Sequence, residues 1–432
     1  EHAVTTTWIQ NYTLSVGEHN VKANGYHVGG DYFQVFSFDM LHGNPQTAMQ
    51  DKYAMVVTKE LAMKLWGTDD VVGKSLELQH EKTFQITGVI NEVPTASSYQ
   101  FDFVMNFEVY RAENDWVEEW GNNGPPTFVV LREGSDGKAV SEKIKDFIKA
   151  REENSNVSLF LVPYTDVYLY GRYENGVQSG GRIEYVRLFS IIAVFILVIA
   201  CINFMNLSTA RASRRAKEVG IRKAIGAQRR SLVFQYLSES TLISVCSMCL
   251  AVGLVWLVLP HFNTITDKRI QFNLADPVLI RSLTFIVVLT GLLAGSYPAL
   301  FLSAFRPAAV LKGMVRGSWA ELWARKGLVV FQFFLSVILI VAVLVIYIQV
   351  EYVQTRSLGY NKEHLIRIPV EGKLQEDRET FLTEVRKLPG VVSAASMSHT
   401  FLGRNNNTGG LNWDGKNPEE IILFENVRVN HE

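Results

Sequence analysis

Cysteine is scarce in this sequence, and charge of one sign is not in excess. The three cysteines, Cys201, Cys246 and Cys249, all lie in apolar runs and carry no information on disulfides. Cys246 and Cys249 form a C-x-x-C, but neither polar ligands nor a strand–helix context accompanies them. They read as small buried residues of a membrane helix. The net charge of -1 leaves no overall excess that would point to nucleic acid. No metal-ligand cluster and no nucleophile–base constellation is legible in the outer residues 1–180. His2, His19, His27, His42 and His80 are scattered, and packing or surface roles are the default for each. The start of the chain carries no signal peptide. A phosphate-binding loop is also missing. The stretch "GTDDVVGKS" at 67–75 has five residues between its glycines where the pattern needs four. Asp69 and Asp70 would repel phosphate, and the stretch follows a helical pattern, not a strand. It reads as a turn leading from a helix into a strand.

Long hydrophobic runs are present instead. Apolar residues make up 48% of the chain and concentrate after residue 185. Four segments are long enough to cross a bilayer, which takes about 20 apolar residues: 185–207, 232–260, 282–305 and 327–350. Loops 208–231 and 306–326 are strongly basic. The first holds Arg211, Arg214, Arg215, Lys217, Arg222, Lys223, Arg229 and Arg230 against Glu218. Loop 261–281 is nearly balanced. The positive-inside rule puts both basic loops in the cytoplasm and residues 1–180, 261–281 and 351–432 outside. An outer N-terminal domain without a signal demands an earlier membrane segment. Glu1 is not an initiator Met, and Glu432 ends a strand-like run. The expectation is a fragment of a longer protein.

The outer residues 1–180 mix helix and strand patterns. "TKELAMKLWG" sets Leu61 and Leu65 at helical spacing. "KSLELQHEKTFQITGVINEVP" alternates like two paired strands with a turn at His80–Lys82. "DGKAVSEKIKDFIKAREEN" places Val140, Ile144, Phe147 and Ile148 on one helical face. The fold class expected is an α-helical transmembrane protein with four membrane helices plus an α+β extracytoplasmic domain. The membrane cores hold almost nothing ionisable: Asn203, Asn206, Gln332 and Glu239 lie mostly near helix ends. A solute pathway at mid-membrane usually shows more. "GLLAG" sets Gly291 and Gly295 at small-xxx-small spacing with Ala299 one turn on, a close-packing face.

The densest basic stretch, "RASRRAKEVGIRKAIGAQRRS" at 211–231, allows two readings. One is a positive-inside anchor. The other is a shaped cytoplasmic helix: Ala216, Gly220, Ala224 and Ala227 form a small-residue face, Glu218 and Arg222 pair at i, i+4, Gly226 stops the helix and Ser231 caps the next one. An anchor requires only the positive charges.

The sequence "IACINFMNLSTARASRRAKEVGIRKAIGAQRRSLVFQYLSES" at 199–240 resembles the signature of FtsX-like permeases of the MacB type, membrane subunits of ABC transporters. "VVTKELAMKLWG…VVGKSLEL…FQITGVINEVPTASSYQFDF" resembles the family's MacB-type periplasmic core domain. "SYPALFLSAFRPAAVLKG" and "RKGLVVFQFFLSVILIVAVLVIYIQVEYVQTRSLGYN" resemble its later membrane segments. The resemblance implies a piece of a two-half, eight-helix protein, with residues 351–432 opening a second, truncated extracytoplasmic domain. The faint echo of "NGYHVGGDYF" in "ENVRVNHE" is consistent with two halves. The resemblance implies that the loop after the second helix docks on an ATPase, a role carried to Glu218, Val219, Gly220, Ile221, Arg222, Lys223, Gly226 and Ala227, which match E-V-G-[IV]-R-K-x-x-G-A. Glu239 matches a family glutamate, with a structural role as its equal alternative. The resemblance further implies residence in the bacterial inner membrane among its lipids, a separate cytoplasmic ATPase subunit that binds ATP–Mg and does the hydrolysis, no cofactor or metal on this chain, and a dimeric or two-half assembly. A periplasmic adaptor and an outer-membrane channel are partners that such systems use. The mechanism implied is mechanotransmission from ATPase to outer domains. Its output is efflux or extraction of a periplasmic substrate, or control of a cell-wall hydrolase or peptide-stress signalling. An ATPase-independent channel is a third class.

Overall fold

The computed structural model describes residues 1–432 apart from 123, 153–154, 156, 215, 304–318, 358, 360–362, 371–373, 375, 399–406, 409–410, 412, 418–421, 423 and 431–432. The chain divides into two compact units, Glu1–Val167 with His364–Glu432, and Tyr168–Glu363. Residues 172–180 form a hairpin whose Arg172 lies 3.7 Å from Glu184 on the first membrane helix, which binds them to the helical unit. Among the described residues of 364–432, Leu382 is the one buried apolar side chain.

The first unit contains β1 (His2–Thr5), β2 (Gln10–Val16), β3 (His19–Val28), α1 (Tyr32–Val35), β4 (Met40–Gly43), β5 (Ala54–Thr58), α2 (Lys59–Trp66), β6 (Ser75–Leu78), β7 (Lys82–Ile90), β8 (Phe103–Asn106), α3 (Phe107–Glu113), β9 (Thr127–Val130) and α4 (Gly137–Ile144). A further helix, α5 (Tyr164–Tyr170), runs from this unit into the next. Seven strands form one mixed sheet in the order β4-β7-β5-β8-β3-β2-β6, and β6 also pairs with β7. The hydrogen bonding therefore returns on itself through β7-β5-β8-β3-β2-β6, which leaves few open edges. Alternation sorts side chains to two cores. Met55, Val57, Phe84, Phe103 and Met105 join Leu61 and Leu65 of α2 in one. Val56, Val104, Tyr26, Val28 and Tyr32 join the other. Both faces of β5 are buried, and its sequence "AMVVT" is apolar except for its last residue.

The expected hairpin is present: Leu76 sits opposite Phe84, and Leu78 opposite Lys82. Its turn holds Gln79 and His80 at φ 56° and 59°. The hydroxyl of Thr58 accepts from Leu61 N at the start of α2, and Gly67, left-handed, ends the helix by donating to Met63 O. Val71 then plugs the core at 0% exposure before Gly73 turns the chain into β6, so residues 67–75 serve as a connection. The helix expected across Val140–Ile148 stops at Ile144. The carbonyl of Lys145 accepts instead from Leu159 N at 3.0 Å. Phe147 is exposed, with the Arg151 guanidinium 3.5 Å from its ring centre. Gly25 allows the tightest approach in the sheet. A Cβ there would fall 2.3 Å from Phe103 Cζ.

In the second unit the hairpin β10 (Arg172–Glu174) and β11 (Val177–Gly180) leads into α6 (Ile183–Arg214), α7 (Ala216–Ala224), α8 (Arg229–Thr266), α9 (Pro277–Ser303) and α10 (Trp319–Thr355). Four of these contain stretches apolar and long enough to span a bilayer: Ile183–Ser208, Arg229–Thr266, Pro277–Ser296 and Lys326–Thr355. The helices overrun their apolar cores, so α6 and α8 reach into the basic loop from both sides. In space α9 packs between α8 and α6, and α6 also contacts α10. One cysteine, Cys201, is buried, whereas Cys246 and Cys249 are exposed on α8, contrary to the expectation of burial. They lie on α8 away from Ser240 and Thr241, the positions that meet α9. The first unit also contains α11 (Arg378–Arg386).

Candidate coupling site at the cytoplasmic helix

The segment between α6 and α8 folds as the short helix α7, closed at its end by glycine. Gly226 has φ +102°. Its N–H donates to Lys223 O at 3.1 Å, and Ala227 N–H donates to Arg222 O at 3.0 Å. These two bonds satisfy carbonyls that a helix end leaves orphaned, and the left-handed turn favours glycine over any residue with a Cβ. The next helix begins sooner than its sequence suggested. Gln228 is the residue before α8 and makes no side-chain cap, so Ser231 lies inside the helix and does not cap it. Two arginines at the first helical positions extend α8 toward α7.

Burial on α7 is rotated from the expected small-residue face. Val219 is 3% exposed and Gly220 is buried, with Lys223 and Ala227 half-buried, while Ala224 is exposed. The Ala216 side chain lies outside the described residues. A β-branched side chain fills the contact better than alanine would, so the valine faces inward and Ala224 outward. The opposite face carries Glu218, Ile221, Arg222 and Ile225. Ile221 is 49% exposed and Ile225 82%. Charge and exposed isoleucine at i, i+3, i+4 and i+7 share one side of the helix.

Polar ties fix α7 to both neighbours. Arg222 bonds Glu218 at 2.6 Å and Gln235 of α8 at 3.0 Å. Lys223 Nζ donates to the backbone carbonyl of Ser303 at 2.6 Å, and Arg229 Nε to the Ser303 hydroxyl at 3.2 Å. Ser303, the last described residue of α9, is 1% exposed. A backbone carbonyl and a hydroxyl on one buried residue thus take two cationic donors. Burial, with Arg229 close by, pushes the Lys223 ammonium below the usual lysine range. Sequence reasoning missed Ser303 and Gln235. Ser303 is 80 residues from Lys223, and neither residue carries a local signal.

The ties continue into the membrane as close packing. Gly291 of α9 lies against Thr241 of α8, where a Cβ would come within 2.9 Å of the threonine Cα. Gly295 lies against Ser240, where a Cβ would stand 2.8 Å from the serine Cβ. Ala299 is 0% exposed. Ser240 and Thr241 donate their hydroxyls to Tyr236 O and Leu237 O of their own helix. Both hydroxyls are thereby satisfied, and the two backbones can approach. Glu239 stands beside this seam on the exposed side of α8. The structure thus ties α7, through Lys223 and Ser303, to the helix that carries the Gly291–Ala299 seam, α9.

Two family descriptions match the chain: MacB-like periplasmic core domain over residues 2–147 and FtsX-like permease C-terminal over residues 190–307. The macrolide export ATP-binding/permease protein MacB of Bdellovibrio bacteriovorus is 26% identical over 263 residues, covering 60% of this chain and 38% of that protein. The protein of the same name from Haemophilus ducreyi is 35% identical over 125 residues, covering 29% of this chain and 18% of that one. The chain thus spans well under half the length of these curated relatives. Among solved structures, a domain of a putative permease from Porphyromonas gingivalis is 22% identical with a TM-score of 0.34, covering 38% of this chain and 76% of that one.

Proposed function

The chain belongs to the MacB/FtsX-type permeases, and from that premise we propose that it transmits the ATPase cycle of an ABC transporter to its periplasmic domain. It is a multi-pass protein of the bacterial inner membrane. The outer face of α7 is the docking surface for the ATPase. Ile221 and Ile225 supply the apolar contact, and Glu218 and Arg222 its charged rim. The observation that carries this role is the double attachment of α7, through Arg222 to Gln235 on α8 and through Lys223 to Ser303 on α9. A push on α7 cannot leave α9 in place without breaking a charge-assisted bond. Because α9 is close-packed on α8 at Gly291 and Gly295, the pair moves as a unit.

ATP and its magnesium are held and hydrolysed by an ATPase partner subunit, and the permease chain itself catalyses nothing. The output is export or extraction of a periplasmic substrate. The relatives' printed name, macrolide export, supports that direction, as does the paucity of ionisable groups in the membrane cores. A periplasmic adaptor, an outer-membrane channel and a dimeric assembly complete the proposed machine.

The test is reconstitution of the full-length permease with its ATPase. Ile225→Asp and Glu218→Arg should each abolish co-purification of the ATPase and its stimulation, while membrane insertion stays intact. Survival of both binding and stimulation in the two variants would leave the basic stretch as a topological anchor alone.

A further inference from the structure

The first turns of α8 and a neighbouring turn of α9 frame an open groove of about 280 Å³. Its α8 wall is Arg229, Arg230, Val233, Phe234 and Leu237, and its α9 wall is Leu300. The α8 positions fall on one face of the helix. The floor is the α8–α9 seam itself, since Leu237 Cδ2 stands 3.2 Å from where a Cβ on Gly295 would fall. Phe234 is 75% exposed and Leu300 57%, so the apolar walls lack a partner among the described residues. An apolar cavity of roughly 150 Å³ holds one benzene ring, so this one admits a stretch of hydrocarbon chain.

Polarity is graded along the groove. Arg229 and Arg230 precede the apolar run that starts at Leu232. Leu237 lies about 10 Å deeper than Arg230 at a rise of 1.5 Å per residue. With the basic loop 208–231 in the cytoplasm, the two guanidinium groups stand at the headgroup level of the inner leaflet, and Phe234 and Leu237 stand at the level of its acyl chains. Glu218 is the one acidic residue of 208–231, and Arg222 holds it at 2.6 Å. No Asp or Glu among the described residues lines the groove. Arg229 uses one donor on Ser303 Oγ, at 3.2 Å, and a guanidinium has five. Such forks match phosphate oxygens in pairs. A neutral occupant would leave both charges unanswered. A small soluble anion would leave the apolar walls uncovered. A water-soluble protein would have to enter the bilayer to reach Leu237.

We infer that this groove binds one anionic phospholipid of the cytoplasmic leaflet, with its phosphate on Arg229 and Arg230 and the upper part of an acyl chain against Phe234, Leu237 and Leu300. Basic pockets between membrane helices on the cytoplasmic side suit such headgroups. The lipid site needs the membrane orientation of α8 and not the docking of an ATPase on α7.

Native mass spectrometry of the full-length protein in detergent, titrated with dioleoyl phosphatidylglycerol or dioleoyl phosphatidylethanolamine, reads the first lipid bound. The two lipids share their tails and differ in net charge. Phosphatidylglycerol should bind saturably and several-fold more tightly. Arg230→Gln should weaken it roughly fivefold, the ratio that one positive charge near an anionic headgroup supplies, and leave phosphatidylethanolamine nearly unchanged. Lys326→Gln removes a positive charge exposed elsewhere on the same side of the membrane and should change neither. Leu300→Trp keeps both arginines, fills the groove and should abolish the tight site. Equal affinity for the two lipids, an equal loss in Lys326→Gln and Arg230→Gln, or displacement of phosphatidylglycerol by tail-free glycerol phosphate overturns the proposal. Retention of the lipid by Leu300→Trp overturns it as well, and loss of the ATPase by that same variant would then give the groove to the protein partner.

Discussion

The periplasmic sheet and the membrane helices use opposite means to hold together. In the sheet, β5 is buried on both faces and large side chains such as Phe84 and Phe103 are fully enclosed. In the membrane, α8 and α9 meet through glycine, serine, threonine and alanine, and most of their large side chains face outward. Water drives the first arrangement, since apolar area leaves it on folding. It cannot drive the second, because lipid is as apolar as the side chains it would replace. Close approach and a few polar ties hold the helices. Such a seam can slide or tilt at lower cost than a packed core can deform, which fits the proposed transmission through the membrane helices.

Deleting a large side chain in the sheet should have the greatest effect. Phe103→Ala leaves a hole beneath Gly25 and should destabilise the outer unit by about 3–5 kcal/mol, read as a lowered unfolding midpoint in tryptophan fluorescence. The membrane unit should keep its insertion.

Acid offers a second way to strain the sheet alone. His27 is 5% exposed, beside Thr7 and between the rings of Tyr12 and Tyr110. Burial first, and then the charge of Lys82, pull its pKa down to about 4. The unfolded chain takes up a proton near pH 6.5 and the folded one does not until near pH 4, so stability falls as pH drops through that window. The loss is on the order of 3 kcal/mol. Thermal unfolding of the wild-type protein should shift down between pH 6.5 and 4, and His27→Gln should flatten the shift. An equal slope in both proteins would remove His27 as its source.

In the membrane the largest lever is size. Gly295→Leu drives a side chain into Ser240 and Leu237, and overpacking of this kind costs about 1–3 kcal/mol. ATPase stimulation should drop while the unfolding midpoint of the outer unit stays put. A drop in both would show that the two regions are less separable than their packing indicates.

The two regions were also unequally legible in the sequence. Four apolar runs, the spacing of Gly291, Gly295 and Ala299, and the stop at Gly226 are local signals, and local physics is enough to read them. The β6–β7 hairpin is local as well. Return of the sheet through β2 and β6 is not, because it pairs Leu14 with Leu78 across distant sequence. The helix at 137–144 broke its own periodicity when Leu159 captured the Lys145 carbonyl. Ser231 looked like a cap because serine prefers that role, yet α8 had already begun at Arg229. On α7 the small-residue pattern pointed to Ala224, whereas packing chose Val219. The contact that matters most, between Lys223 and Ser303, joins residues no sequence window could hold together.

That contact gives the most direct test. Lys223→Met keeps the length of the side chain and its apolar stem but removes the donor to the Ser303 carbonyl of α9, and it leaves Ile221 and Ile225 exposed for docking. In the reconstituted complex, the ATPase should co-purify as with wild type, and its permease-dependent ATP turnover should fall several-fold, as a loss of about 1.5–3 kcal/mol in a charge-assisted bond would allow. Unchanged turnover in the variant would contradict the claim that α7 drives α9 through this tie.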